Sequence, residues 1–145
     1  MKDDMIRVSD RLQTFYESFR TEREGAIARL EEFFTDDVHF RDPFRNTVGI
    51  EPLRALFVRM FKQYRVVDFT DFRCKGNEQA FTLTYDMSLK MVIGPTFVTP
   101  VASVCVTRGD KICDLADYFD FSSGLLSPIP IAASLYQKAV NALFL

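Results

Sequence analysis

Residues 33–57 read FFTDDVHFRDPFRNTVGIEPLRALF, and the change of hydrophobic period inside this stretch decides how the chain folds. Val38, Phe40 and Asp42 lie at alternate positions, so a strand here carries two apolar side chains and one carboxylate on the same face. A carboxylate on an inward face costs free energy unless a partner pairs with it or a ligand uses it. Asp42 is therefore either a catalytic base in an apolar pocket or a turn residue that precedes Pro43.

Helical periods flank this strand on both sides. Apolar residues recur every three or four positions in three stripes, which are Val8, Leu12, Phe15, Tyr16 and Phe19; Ala26, Ile27, Leu30, Phe33 and Phe34; and Leu53, Leu56, Phe57, Met60, Phe61 and Tyr64. The first two stripes predict a helical hairpin, and the third predicts a helix that follows a turn at 46–49. Pro52 is compatible with the first turn of that helix, where its missing N–H has no partner to lose.

From residue 66 onward the period becomes alternating, which predicts strands. The strand candidates are 66–73, 79–92, 97–107 and 111–121, separated by Gly-Asn, Gly-Pro and Gly-Asp turn signals. We expect an α+β fold in which a cone-shaped, curved antiparallel sheet packs against three N-terminal helices, with an additional C-terminal helix. The apolar interior of such a cone is a natural site for a small molecule.

The last segment, 123–145, is predicted to be an extension of a single domain of 145 residues. It is interrupted at Gly124, Pro128 and Pro130, and then carries apolar residues at helical spacing. We expect this helix to pack against the domain or against a partner subunit. A helix on a membrane surface is the alternative, but Lys138 offers it only one basic anchor.

The composition argues against several classes of protein. The 145 residues are 48% hydrophobic and include 15 phenylalanines, which indicates a globular chain with a phenylalanine-rich core. A net charge of −2 lacks the basic excess that nucleic acid binding needs, and no apolar run is long enough for an integral membrane segment. We therefore expect a cytoplasmic protein. The three cysteines lack a CxxC spacing and His39 is the only histidine, so we expect no disulfide framework, metal site or cofactor.

The run at 33–57 and the later run KICDLADYFDF at 111–121 together resemble the nuclear transport factor 2-like superfamily, in its SnoaL-like branch. The resemblance covers about residues 8–122, and it implies the same α+β cone. It implies no particular activity, because this superfamily includes enzymes, binding modules and protein-transport factors.

One comparison within the superfamily implies proton-transfer chemistry. The segment TDDVHFRDPF, residues 35–44, is similar to the ketosteroid isomerase segment that contains the catalytic aspartate, which implies that Asp42 is the base. Tyr16 is similar in place to the isomerase tyrosine that donates a hydrogen bond to the dienolate oxygen. The second isomerase donor, a protonated aspartate, corresponds to a position at or near Ser103, where this sequence departs from the isomerase pattern.

A second comparison implies water activation. Limonene-1,2-epoxide hydrolase activates a water with an aspartate, arginine, aspartate triad, and the run DYFDF is similar to the part that carries one of the acids. The similarity implies a role for Asp117 and for Asp86 on an earlier strand. Thr84 occupies the arginine position, and without a cation two carboxylates facing one water would repel, so one would stay protonated.

Alternation by itself also marks Asp117, because this acid shares a predicted strand face with Leu115 and Phe119. Two interpretations fit this pattern. Asp117 is either a functional carboxylate or a structural one, held by backbone amides or by an arginine such as Arg73 or Arg41.

Asp86 is placed differently by alternation and by the resemblance. Between Phe81 and Met91 the apolar side chains occupy odd positions, which puts Asp86 in solvent, whereas the resemblance puts it in the cavity. Both hold if the even positions line a partly polar cavity and the odd row packs against the sheet of a second subunit. We therefore expect a homodimer through the sheet.

The expected ligand is a small hydrophobic molecule, and the pocket-lining candidates are Phe40, Phe57, Met60, Phe61 and Phe119. If the protein is an enzyme, we expect cofactor-free acid-base chemistry, with Asp42 moving a proton, Tyr16 bonding the oxyanion and Asp117 assisting. Tyr16 is otherwise a core residue, and His39 points away from the pocket. The alternatives are a non-catalytic binding or dimerisation domain, and an epoxide-hydrolase-like water activation by Asp86 and Asp117.

Overall fold

The structure, a computed structural model, describes residues 7–120, Ser122 and 129–145. The interruptions predicted at Gly124 and Pro128, and the end of the last predicted strand at Phe121, lie outside the described residues. Within the described parts of the chain, no helix has the length and apolar character needed to cross a membrane.

The helices are α1 (Val8–Glu17), a 3₁₀ turn (Ser18–Arg20), α2 (Arg23–Ala28), α3 (Leu30–Phe33), α4 (Ile50–Gln63) and α5 (Pro130–Phe144). The first and third apolar stripes form helices as predicted. The second stripe forms two short helices, because Arg29 between them leaves the helical conformation with φ −106° and ψ 13°.

The strands are β1 (Phe34–Arg41), β2 (Asn46–Val48), β3 (Tyr64–Gly76), β4 (Ala80–Met91), β5 (Thr96–Arg108) and β6 (Lys111–Phe119). They form one six-stranded sheet in the order β2-β1-β6-β5-β4-β3. β3 to β6 make the predicted antiparallel meander, whereas β1 pairs with β6 in parallel. The predicted α+β fold, with a curved sheet against N-terminal helices, is confirmed.

The turn predicted at 46–49 lies earlier in the chain. Asn46–Val48 form β2, which pairs antiparallel with β1. The chain reverses at 42–45 instead, where the amide of Asp42 donates to the carbonyl of Arg45 at 3.0 Å. The Asp-Pro pair explains this position, because aspartate caps turns and proline fixes its own φ.

The helices cover one face of the sheet and form the core with it. Tyr16 in α1 packs against Tyr85 in β4 and Phe69 in β3, with ring centroids 5.3 and 5.2 Å apart. The odd positions of β4 therefore face the protein's own core, where Phe81, Leu83, Tyr85 and Leu89 are buried. The expectation that this row packs against a second subunit is wrong, because the protein's own helices already cover it.

A bulge in β3 bends the sheet around the helices. The register of β3 against β4 shifts between Thr70 and Arg73, and Asp71 has a positive φ of 59°. An extra residue in one strand increases its bend and twist, and aspartate adopts this conformation more readily than most residues. As a result Phe69 and Phe72, which lie on either side of the bulge, both contact the ring of Tyr85.

Two apolar surfaces of the described chain stay exposed. The outer face of β5 carries Val98, Val104 and Val106, which are 56%, 39% and 43% exposed. Along α5 no side chain is buried, and Ile131 and Leu143 are both more than three-quarters exposed, at 78% and 76%. Apolar surfaces of this kind are typical of regions that contact another molecule.

Arg23 at the start of α2 ties three parts of the chain together. Its guanidinium donates to the carbonyls of Phe19, Tyr64 and Arg65 at 3.2, 2.9 and 2.7 Å. It also lies over the ring of Phe61, 5.3 Å from the centroid. The last carbonyls of a helix lack partners within the helix, so this arginine closes the end of α4 where β3 begins.

Replacing Arg23 by alanine should lower the free energy of unfolding by about 1–3 kcal/mol, because the carbonyls lose a charged donor. Urea unfolding followed by circular dichroism measures this change. Arg20→Ala removes an exposed arginine three residues earlier, and it should change the free energy by less than about 0.5 kcal/mol. Equal losses in the two variants would contradict a specific role for Arg23.

Candidate functional site

A cavity of about 140 Å³ lies between the inward face of the sheet, α1 and α4. Of the residues expected to line a pocket, four border this cavity, namely Phe40, Phe57, Met60 and Phe119. Phe61 lies behind them, and its ring packs against Phe19 with centroids 5.0 Å apart. The polar side chains that border the cavity are those of Tyr16, Asp42, Arg45, Gln63, Tyr64, Tyr85 and Asp117.

Tyr85, Ser103 and Asp117 form a hydrogen-bonded chain across three neighbouring strands. Ser103 pairs with Asp117 in the β5–β6 register, and its hydroxyl donates to Asp117 Oδ1 at 2.5 Å. The Tyr85 hydroxyl lies 3.0 Å from Ser103 Oγ on the other side. Ser103 is fully buried behind the cavity wall, so it holds Asp117 in place and does not itself border the cavity.

Asp117 is half-buried and borders the cavity. Burial raises the pKa of its carboxyl to about 7, the hydrogen bond from Ser103 opposes this rise, and the charge of Asp42 adds to it. The two arginines considered as partners lie elsewhere. Arg41 donates to Asp114 at 2.8 Å, and Arg73 borders a groove on the outer face of the sheet. Among the described residues no ion pair neutralises Asp117.

The two tyrosines beside Asp117 are hydrogen-bond donors at neutral pH. Burial raises the pKa of Tyr16 and of Tyr85 well above the usual value of 10, so both hydroxyls keep their protons. Tyr16 is 2% exposed and Tyr85 is 4% exposed, and both border the cavity. They can therefore offer hydroxyl groups to a ligand oxygen inside it.

Asp42 fits both interpretations that the sequence left open. Its Oδ1 accepts from the amide of Phe44 at 2.8 Å, and its Oδ2 accepts from Arg45 Nη1 at 2.9 Å, so the side chain caps the turn. The same side chain is only 7% exposed and borders the cavity. Asp42 is thus a turn residue whose carboxylate, paired with Arg45, also faces the cavity.

The parallel pairing of β1 with β6 brings the two acids to the same end of the cavity. Phe40 pairs with Leu115 and Arg41 with Ala116, and continuing this register sets Asp42 beside Asp117. Neighbouring strands lie about 4.8 Å apart. This proximity explains why the charge of Asp42 raises the pKa of Asp117.

Asp86 and Thr84 lie on the opposite face of the sheet. They border an open groove there, together with Asp71, Arg73 and Tyr118. The structure therefore does not bring Asp86 and Asp117 together around one water, as the epoxide hydrolase comparison implied. The physical reason is the alternation of the strand, because burying the odd row of β4 turns its even row outward.

His39 also lies outside the cavity, in a polar cluster on the outer face of β1. Its Nδ1 is 3.2 Å from Asp114 Oδ2, and its Nε2 is 2.6 Å from Asn46 Oδ1. In the ranges that the structure describes, no group of three or more histidine, cysteine or acidic side chains is arranged to hold a metal ion.

Two residues of the site escaped the sequence reasoning. Tyr85 belongs to the row that we expected to face a second subunit, and its contact with Ser103 depends on the register with β5, in which Tyr85 pairs with Val101. Arg45 follows Asp42 by three residues, and this spacing across an Asp-Pro turn is a signal for an ion pair that could have been used.

Solved structures with the same fold come from several bacteria. A hypothetical protein with a ketosteroid isomerase-like fold from Catenulispora acidiphila, in complex with trimethylamine, has a TM-score of 0.69 and 20% identity, covering 81% of this chain and 90% of its own. A nuclear transport factor 2-like protein from Anabaena variabilis has a TM-score of 0.66 and 21% identity, covering 78% and 87%. A phenazine biosynthesis-related protein from Pseudomonas aeruginosa has a TM-score of 0.66 and 13% identity, covering 83% and 84%.

At these identities the similarity establishes the fold alone. No curated protein sequence matches the chain. The family described as the SnoaL-like domain matches residues 12–115, from α1 into β6, which is well over half of the chain. The resemblance to the SnoaL-like branch of the nuclear transport factor 2-like superfamily is thereby confirmed, and the chain belongs to the SnoaL-like domain family.

Proposed function

We propose that this protein binds a small, mainly apolar carbonyl compound in its cavity and moves a proton on the carbon beside the carbonyl, without a cofactor. The observation that carries this proposal is a pair of neighbouring carboxylates in opposite environments. Asp42 forms an ion pair with Arg45, whereas burial raises the pKa of Asp117 to about 7. Acid and base roles are commonly divided between two such carboxylates.

The volume of the cavity supports a small ligand. A cavity of about 140 Å³ is close to the engineered cavity of about 150 Å³ that binds benzene, whereas drug-sized ligands occupy about 300–1,000 Å³. We therefore favour a molecule with one ring or a short branched chain over a polycyclic one. The trimethylamine complex of the Catenulispora protein supports the idea that this fold accepts molecules of a few heavy atoms.

Each residue has a defined part in the proposed step. Asp42 takes a proton from the carbon beside the carbonyl, and the electrons of the broken C–H bond form a C=C bond while the carbonyl π electrons move to oxygen. Tyr16 donates a hydrogen bond to that oxygen. The carboxyl group of Asp117 is uncharged when protonated, so it does not repel the negative charge that forms on the oxygen. Asp42 then returns the proton to the carbon two positions further along an unsaturated ligand, so no oxidant or reductant is needed.

Non-catalytic ligand binding is the second candidate function. The amide of Phe44 and the guanidinium of Arg45 both bond Asp42, and these contacts would be equally useful in a structural turn. Water activation by Asp86 and Asp117 is less favoured, because the two acids lie on opposite faces of the sheet.

We also propose a homodimer through the outer face of the sheet, supported by the exposed valines of β5. The cytoplasmic location, and the assignment of 123–145 as an extension of one domain, stay predictions.

Light scattering should give a mass of about twice 16.7 kDa for the native chain, and Val104→Lys should give the monomer mass. Val48→Lys, on the edge strand β2, should leave the dimer intact. A monomeric native chain would contradict the dimer.

Asp42→Asn should slow the isomerisation of cyclohex-3-enone to cyclohex-2-enone by about 10²–10⁴-fold, because an amide cannot take the proton. The enone absorbance measures the rate, and calorimetric titration with cyclohexanone checks that binding is retained. Asp37→Asn, at an exposed position of the preceding strand β1, is the matched control and should keep the native rate. A native rate in Asp42→Asn would exclude the proposed base.

The pH dependence of stability should report the proton on Asp117. Folding raises the pKa of this carboxyl from 3.8 to about 7, so the folded protein binds more protons than the unfolded chain between these values. Its contribution to the free energy of unfolding is therefore present below about pH 4 and is lost as the pH rises to about 7.

Asp117→Asn should remove this dependence. It should match the native protein near pH 4 and exceed its free energy of unfolding by a few kcal/mol at pH 8, measured by urea unfolding. Asp86→Asn, on the outer face of β4, should keep the native pH profile. A native profile in Asp117→Asn would show that this carboxyl does not hold the proton.

A further inference from the structure

The hydroxyl group of Ser103 stands between the acid of the site and its tyrosines. It lies 2.5 Å from Asp117 Oδ1 and 3.0 Å from the Tyr85 hydroxyl. The ring of Tyr16 packs beside that of Tyr85, with centroids 5.3 Å apart, and both tyrosines border the cavity. A serine hydroxyl has one proton to donate and two lone pairs to accept with, so the direction of one of its bonds restricts the others.

When Asp117 is ionised, the direction of every bond in this chain is determined. A carboxylate can only accept, so Ser103 must give its proton to Asp117. The bond between Ser103 and Tyr85 then needs the Tyr85 proton, which points toward Ser103 and away from the cavity. In this state the wall offers oxygen lone pairs to a ligand, which suits an alcohol.

When Asp117 is protonated on Oδ1, the chain can reverse. The acid donates to Ser103, and Ser103 donates to the Tyr85 oxygen. The Tyr85 proton is then free to turn into the cavity, or to turn toward Tyr16 and release the proton of that hydroxyl into the cavity instead. In this state the wall offers a donor, which suits a carbonyl oxygen.

We propose that Ser103 is a positioning residue that links the protonation of Asp117 to the direction of the tyrosine hydroxyls, so that the cavity selects carbonyl compounds when Asp117 is protonated and alcohols when it is ionised. The inference rests on ligand binding in the cavity of the proposed function and adds the ligand class. It does not depend on proton transfer by Asp42.

The surroundings of Asp117 fit this role on every side. Tyr16 faces it from α1, Tyr85 from β4, Ser103 and Cys105 from β5, and Asp42 with Arg45 from the turn after β1. Burial raises the pKa of the Cys105 thiol and of both tyrosines, so none of these groups loses its proton near neutral pH. The charge of Asp42 disfavours a negative charge on Asp117 and so raises the pKa of its carboxyl. Asp117 is therefore the group of this cluster that changes state between pH 6 and 8.

Two ligands of equal size test the inference, cyclohexanone as the carbonyl and cyclohexanol as the alcohol. Because the pKa of Asp117 is about 7, cyclohexanone should bind about tenfold more tightly at pH 6 than at pH 8, and it should take up about half a proton at pH 7. Calorimetric titration in phosphate and in Tris, whose ionisation enthalpies differ, gives the proton number. Cyclohexanol should bind about tenfold more tightly at pH 8 than at pH 6, and it should release about half a proton at pH 7.

Variants of Ser103 distinguish a residue that reverses the hydrogen bonds between Asp117 and Tyr85 from one that only shifts the pKa of Asp117. Ser103→Ala removes the hydroxyl that reverses the chain, so cyclohexanone should take up no proton at any pH between 6 and 9. A structural role alone would only move the uptake maximum to higher pH, because Asp117 loses a stabilising donor. Ser103→Thr keeps a hydroxyl and should restore the uptake.

Asp117→Asn provides an independent variant, since its amide NH₂ can donate to Ser103 at every pH. Its affinity for cyclohexanone should not change between pH 6 and 8. Proton uptake that persists in Ser103→Ala, or cyclohexanone binding by the native protein without uptake, would overturn the inference while leaving the proposed function intact. A native protein that binds neither ligand would overturn both. Uptake without isomerase activity would support the inference and contradict only the catalytic step.

Discussion

The site is organised around the cost of placing two carboxyl groups beside an apolar cavity. Asp117 meets this cost by holding a proton to unusually high pH, and its neighbour Asp42 meets it by pairing with Arg45 at the turn. The two acids are close in space, yet Asp42 accepts from an arginine and a backbone amide, whereas Asp117 is held by the hydroxyl of Ser103.

The frame that creates these surroundings is the curved sheet with its helices. The bulge at Asp71 bends β3 toward α1, so that aromatic rings from both elements enclose the inner end of the cavity. Arg23 closes the junction between α4 and β3 from the opposite side. The electrostatic properties of Asp117 therefore depend on packing that lies several residues away from it, since this packing is what excludes water.

Alternation along the strands predicted much of this arrangement. The rows of Phe40 with Asp42, and of Leu115 with Asp117, face inward as expected, because the two-residue period depends only on local backbone geometry. Alternation also placed Asp86 in solvent, where the structure has it, and the expectation of Asp86 inside with the row of Tyr85 outside came from the resemblance to the epoxide hydrolase. The partner of Arg41 also depends on how distant strands pair, because the acid that it contacts, Asp114, lies on β6. The sequence pattern of β1 contains no information about that pairing.

The parallel pairing of β1 with β6 has a consequence for how the protein folds. It joins residues such as Phe40 and Leu115, between which α4 and the whole meander must be arranged first. Closing so long a loop has a large entropic cost, and contacts of high sequence separation slow folding. The neighbouring positions of Asp42 and Asp117 exist only once this contact forms. A partly folded chain, even one with its helices and hairpins in place, therefore lacks the carboxyl pair that borders the cavity.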